Sequence, residues 1–255
     1  MNYLKNIIML SLLISCSSGG GNSKSEISRT KKYYELTDHS GKFTMVRETG
    51  KSKKSNDLVA ITTIFPLEGD EKKPLEKSIT ISTPGMLNKI PVYRPRISNY
   101  FIWFDDSKEK YFTKMSVNVA TRSIDISMKS PEEKWNGKRS IPFPEGSGVF
   151  CFFNQVVECV KRTNFFKEAI KQGDGNMNFH IIWDGYPYVQ EQLLGIPDRI
   201  FEPVSMVYEK NEKKNLYQFT LKVAGQAIIY FLDNDYNLVK KFWTTQGVSI
   251  IKKVD

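Results

Sequence analysis

The chain has 255 residues, 40% of them apolar and 13% aromatic, enough for one substantial domain or two small ones around a real core. It carries 37 Lys and Arg against 28 Asp and Glu, a net charge of +9. Two histidines and three cysteines exclude a multi-histidine metal centre and a zinc quartet, so neither a metal nor another cofactor is expected.

The first six residues hold one lysine, residues 7–14 are apolar except for Ser11, and Ser15-Cys16 follow. Eight residues are too few to span about 30 Å of hydrocarbon, but suit a signal-peptide core of about 7–15 residues. Leu13-Ile14-Ser15-Cys16 resembles the bacterial lipobox, with Ile14 bulkier than usual at its position. That resemblance implies that residues 1–15 are a cleaved signal peptide and that the Cys16 thiol is acylated, anchoring the mature chain in a bilayer. Ser17 stands where an aspartate would retain such a lipoprotein at the inner membrane, which implies the outer membrane, on either face. Residues 17–28 are almost all Ser, Gly, Asn and Lys. Such a segment cannot offset its ordering entropy, and twelve flexible residues reach about 20 Å. Residues 16–29 are therefore expected to be a tether and 30–255 a single domain.

Beyond residue 30, period-two alternation recurs. Residues 58–65 are rich in β-branched side chains and stop at Pro66, and 78–82 alternate and stop at Pro84-Gly85. Strands are also expected over 97–104, 111–119 and 122–128, with Ala120-Thr121 as a tight turn. Residues 131–147, with three prolines and two glycines, form the best internal break.

Cys151 and Cys159 remain as a pair once Cys16 is spent on the anchor, and an oxidising compartment favours their bonding. If residues 149–153 and 156–160 form a hairpin about Asn154-Gln155, the cysteines lie nearly opposite. Eight residues apart on one helix, they would stand about 12 Å from each other, beyond a bridge. One helix is expected over 164–171, with Phe166, Ala169 and Ile170 on one face and Gly173 as its stop. Residues 190–194 suggest another turn.

The C-terminal third alternates most clearly, over 203–209, 216–223, 226–232, 238–244 and 248–253, an antiparallel meander joined by short polar links. Asp233-Asn234-Asp235 starts like a calcium loop but has Leu238 where glycine is needed and Thr244 where a glutamate is needed, so a hairpin turn is expected there. The fold class is mainly β: a large curved antiparallel sheet, or half-barrel, with one or two short helices on its inner face.

Chemistry is sparse. Asp105, Asp106 and Asp184 follow aromatic-rich strands, and a carboxylate beside tryptophan can have a raised pKa. Used as a glycosidase pair, two of them would have to come within about 5–10 Å. The same residues are ordinary turn starters. Phe152, Phe165, Phe166, Trp183, Tyr186 and Tyr188 are the candidate ligand-binding residues, able to line a lipid groove or stack on a sugar. They could equally fill a core.

The scattered lysines, such as Lys53-Lys54 and Lys213-Lys214, read as a solvated surface with attraction to anionic lipid or polysaccharide, not as a nucleic-acid site. The anchor, the single helix and the closing strands from Ala224 to Val248 resemble the LolA/LolB-like periplasmic half-barrels. That resemblance implies a concave sheet holding acyl chains, and hence a non-enzymatic protein binding a lipid or envelope component. A scaffolding lipoprotein with a filled core and a protein partner, and a carbohydrate hydrolase, are the alternatives.

Overall fold

The computed structural model describes residues 27–67, 73–103, 111–146, 148–194, 199–210 and 216–253. Cys16 and Ser17, and with them the leader and most of the tether, lie outside the described residues, as do Asp105 and Asp106.

The described residues form one sheet of fifteen strands. Eight form the first meander: β1 (Ile27–Asp38), β2 (Gly41–Ser52), β3 (Leu58–Pro66), β4 (Glu76–Leu87), β5 (Ile90–Ile102), β6 (Tyr111–Asn118), β7 (Ser123–Lys129) and β8 (Gly137–Pro142). The short strand β9 (Phe150–Phe152) leads into helices α1 (Val156–Arg162) and α2 (Phe165–Gln172). Then come β10 (Asp174–Ile182), β11 (Phe201–Glu209), β12 (Tyr217–Val223), β13 (Gln226–Leu232), β14 (Leu238–Trp243) and β15 (Val248–Lys252).

The order across the sheet is β8-β7-β6-β5-β4-β3-β2-β1-β15-β14-β13-β12-β11-β10-β9. Every neighbour pair is antiparallel except β9 with β10. Two meanders are thus sewn together where β1 pairs with β15, Leu36 opposite Ile250. The sheet curls so far that Met115, Ile124 and Ile126 of β6 and β7 share one core with Phe152, Ile181 and Leu221 from its other end. A mainly β, half-barrel architecture with short helices inside is what the alternation predicts.

Several boundaries differ from expectation. β1 starts at Ile27, inside the expected tether, and pairs along its whole length with β2. β4 does not stop at Pro84-Gly85 but runs to Leu87, opposite Ile90. Its neighbour β3 pairs only as far as Ser82, so Pro84 has no partner strand there that needs its missing N–H. The expected break at 131–147 contains β8 and the buried Trp135, yet it is also where the chain passes from one end of the strand order to the other.

The cysteines bond, with Cα atoms 6.1 Å apart, but not across a hairpin. Cys151 is on β9 and Cys159 on α1. The valines of 156–160 suggested a strand, yet Val156, Cys159 and Val160 are the buried residues of α1, an i, i+3, i+4 spacing that only a helix puts on one face. The second helix lies where expected, burying Phe166 and Ala169. It packs so tightly on β10 that a Cβ at Gly175 would come within 2.7 Å of the Ala169 Cβ. Residues 189–194 make a π-helical turn.

Candidate functional site

Small side chains on the inner face of β3, β4 and β5 make room for the helical insert. Ala60, Thr80, Ser82 and Ser98 are all buried there. Gln155, at the start of α1, is bound among them: Ser82 Oγ donates to its Oε1 at 2.5 Å and its Nε2 donates to the Thr80 carbonyl at 3.0 Å. The insert fills only one end of the curved sheet. At the other, near the β1–β2 turn at Asp38-His39-Ser40, the concave face encloses a cavity of about 420 Å³.

The cavity has three kinds of wall. Leu36 of β1, Met45 of β2, Ile64 of β3 and Ile250 of β15 form an aliphatic side near the mouth. Phe153, Trp183 and Trp243 form an aromatic back, with the two indoles nearly parallel at 6.2 Å and the Phe153 ring 4.7 Å from Trp183. The floor is polar. Arg47 donates from Nη1 to Asn154 Oδ1 at 2.6 Å, and from Nη2 to the Asn154 carbonyl at 2.6 Å and to Glu158 Oε2 at 2.8 Å. Asp184 accepts from the Asn154 N–H at 2.7 Å and from Ser98 Oγ at 3.2 Å.

This network sits where alternation along β2 sends Phe43, Met45 and Arg47 to the same face. It closes the junction between the cavity and the helical insert. Burial pushes the Asp184 carboxyl up to about 7, against the hydrogen bonds from Asn154 and Ser98 and the Arg47 charge. Burial also raises Glu76 on the facing wall, although Tyr100 hydrogen-bonds to it. Lys241 of β14 reaches into the cavity, its ammonium 4.4 Å from the centre of the Phe153 ring, and burial pushes it down to about 8.

Of the candidate ligand-binding residues, Trp183 and Tyr188 line this cavity. The others do not. Phe152 and Phe166 are packed in the main core; Phe165 leans on Phe219, with ring centroids 6.2 Å apart. Tyr186 is buried beside a second, shallower hollow of about 310 Å³ that also touches His180 and Phe201. The reason is topological: these residues flank the helical insert, whose task is to fill the sheet. Asp184 is indeed a buried carboxyl beside tryptophan, but both its oxygens are bonded within the protein. Asp233 closes a hairpin turn by accepting from the N–H groups of Asp235 and Asn237.

Sequence reading missed Arg47, Asn154, Lys241 and Trp243. A signal existed for two of them. In a strand reading of 238–244, strict alternation must turn one of Lys240 and Lys241 inward, and Trp243 follows Lys241 in phase. Among the described residues no group of three or more His, Cys, Asp or Glu is arranged to hold a metal ion.

No family model matches the chain, and no curated protein does. Among solved structures it is similar to a beta-barrel-like protein of the domain of unknown function DUF1849 from Brucella abortus. The identity is 11% and the TM-score 0.44, over 89% of this chain and 94% of that one.

Proposed function

We propose that this chain is an outer-membrane lipoprotein, anchored through acylated Cys16, which holds an apolar ligand such as a lipid acyl chain in its sheet cavity and performs no reaction on it. The observation that carries the binding part is the cavity of about 420 Å³ with its aliphatic and aromatic walls, within the range of about 300–1,000 Å³ typical of small-molecule sites. A scaffolding lipoprotein would be expected to have a filled core instead. The hydrolase reading has less support, because Asp184 is committed to Asn154 and Ser98.

β1 begins at Ile27, opposite Ser52, and ends at Asp38, beside the cavity mouth. A tether entering β1 therefore joins the body at the end away from the mouth. The partner that exchanges ligand is another envelope component or a free lipid.

Two measurements test this. Labelled palmitate is expected to enter the cellular protein and to be lost in Cys16→Ala, which should partition into water; an unacylated chain starting at Met1 would overturn the anchor. An apolar naphthylamine fluorophore is expected to light up on binding and to be displaced by long-chain lipid. Binding without displacement would overturn the ligand.

A further inference from the structure

Lys241 brings a cation into the cavity. In the register of the sheet, Tyr230, Lys241, Ile250 and Leu36 stand side by side on β13, β14, β15 and β1, all facing inward. Lys241 is the single charge in this row. Its ammonium lies over the faces of Phe153 and Tyr230, at 4.4 and 5.7 Å. Among the described residues it has no hydrogen bond and no ion pair.

The carboxylates that could have served it are otherwise engaged. Glu158 is paired with Arg47, Asp184 with Asn154 and Ser98, and Glu76 with Tyr100. Arg47 in turn is spent on Thr62, Asn154 and Glu158. A half-buried charge without a partner is unfavourable, whereas a bound anion would find there a strong, charge-assisted contact.

We infer that Lys241 makes the cavity a receptor for a single-chain carboxylate amphiphile, a fatty acid whose head group meets the ammonium and whose tail lies along the aliphatic wall. The inference rests on the apolar-ligand reading above and adds the head group and the number of chains. The tail follows from the aliphatic wall of Leu36, Met45, Ile64 and Ile250 that lines the same cavity. A single chain follows from size: about 420 Å³ lies near the lower end of the ~300–1,000 Å³ of small-molecule sites. Although burial pulls Lys241 down to about 8, most of it is still charged at neutral pH.

Dodecanoate and dodecanol, equal in length and different only in the head, separate the possibilities when each displaces the fluorophore from the mature protein at pH 7. Dodecanoate is expected to bind about tenfold more tightly, as a charge-assisted hydrogen bond gives. In Lys241→Met that advantage should vanish while dodecanol binds as before, which also shows that the variant is folded. Lys240→Met, on the outward face of the same strand, should change neither. Equal binding of acid and alcohol, or an advantage that survives in Lys241→Met, overturns this inference and leaves the apolar-ligand reading standing. Failure of both to displace the fluorophore overturns the two together.

Discussion

The two ends of the concave sheet face are finished in opposite ways. At the end where β1 begins, α1 and α2 fill the curve with Val160, Phe166 and Ala169 against Phe219 and Leu221, none more than 2% exposed. The Cys151–Cys159 bridge ties that filling to β9. At the end where β1 stops, the same strands present Leu36, Met45, Trp243 and Lys241 to a cavity. A sheet of this curvature cannot fill itself with its own side chains, so an insert has to fill it or a ligand can. This chain does the first at one end and leaves the second possible at the other, with the Arg47–Asn154–Asp184 network as the border.

Perturbations on the two sides of that border should therefore separate into stability and binding. The largest stability effect is expected from Phe152→Ala. It removes a ring with 0% exposure from the filled end and should cost about 3–5 kcal/mol in a urea titration, with fluorophore affinity of the folded protein little changed. A large affinity loss instead would move Phe152 back among the ligand contacts.

Next comes the border itself. The folded Asp184 carboxyl, at about 7, holds its proton more tightly than an unfolded one at about 3.9. Its stabilising contribution is thus complete below about pH 4 and is lost as the pH climbs towards 7. The loss should be on the order of 2–4 kcal/mol across that window. Asp184→Asn is expected to flatten this slope in denaturation midpoints measured against pH; an unchanged slope would assign the titration to another group.

A somewhat smaller effect is expected for the Cys151→Ser, Cys159→Ser pair. Opening a bridge eight residues apart should cost about 2.5 kcal/mol by loop entropy, read from the unfolding midpoint. The smallest effect has the opposite sign. Lys241→Met should raise the stability of the protein without added ligand by about 1 kcal/mol, since it removes a half-buried charge kept for binding. A destabilised Lys241→Met would mean that the ammonium supports the fold.

Much of the sheet was legible in advance. The meander of β11 to β15 is marked by alternation and polar turns, and α2 by the spacing of Phe166, Ala169 and Ile170. β2 is harder to read because its inward positions mix Phe43 and Met45 with Arg47, which blurs the hydrophobic alternation. The valines of α1 favour a strand by propensity, and burial against the sheet overrides it. The aromatic residues stand out in the sequence, but of the six candidates only Trp183 and Tyr188 face the cavity.

What the sequence determined by itself is what depends on neighbours along the chain. That covers the lipobox-like Cys16, the strand and turn periodicity, and the even pair of cysteines. What only the tertiary structure decided is which inward face is covered. Phe152 and Trp183 look alike in sequence, each an aromatic at the end of an apolar strand. One is sealed under α1 and the other borders a cavity, because the insert is long enough to fill one end of the curved sheet and not both.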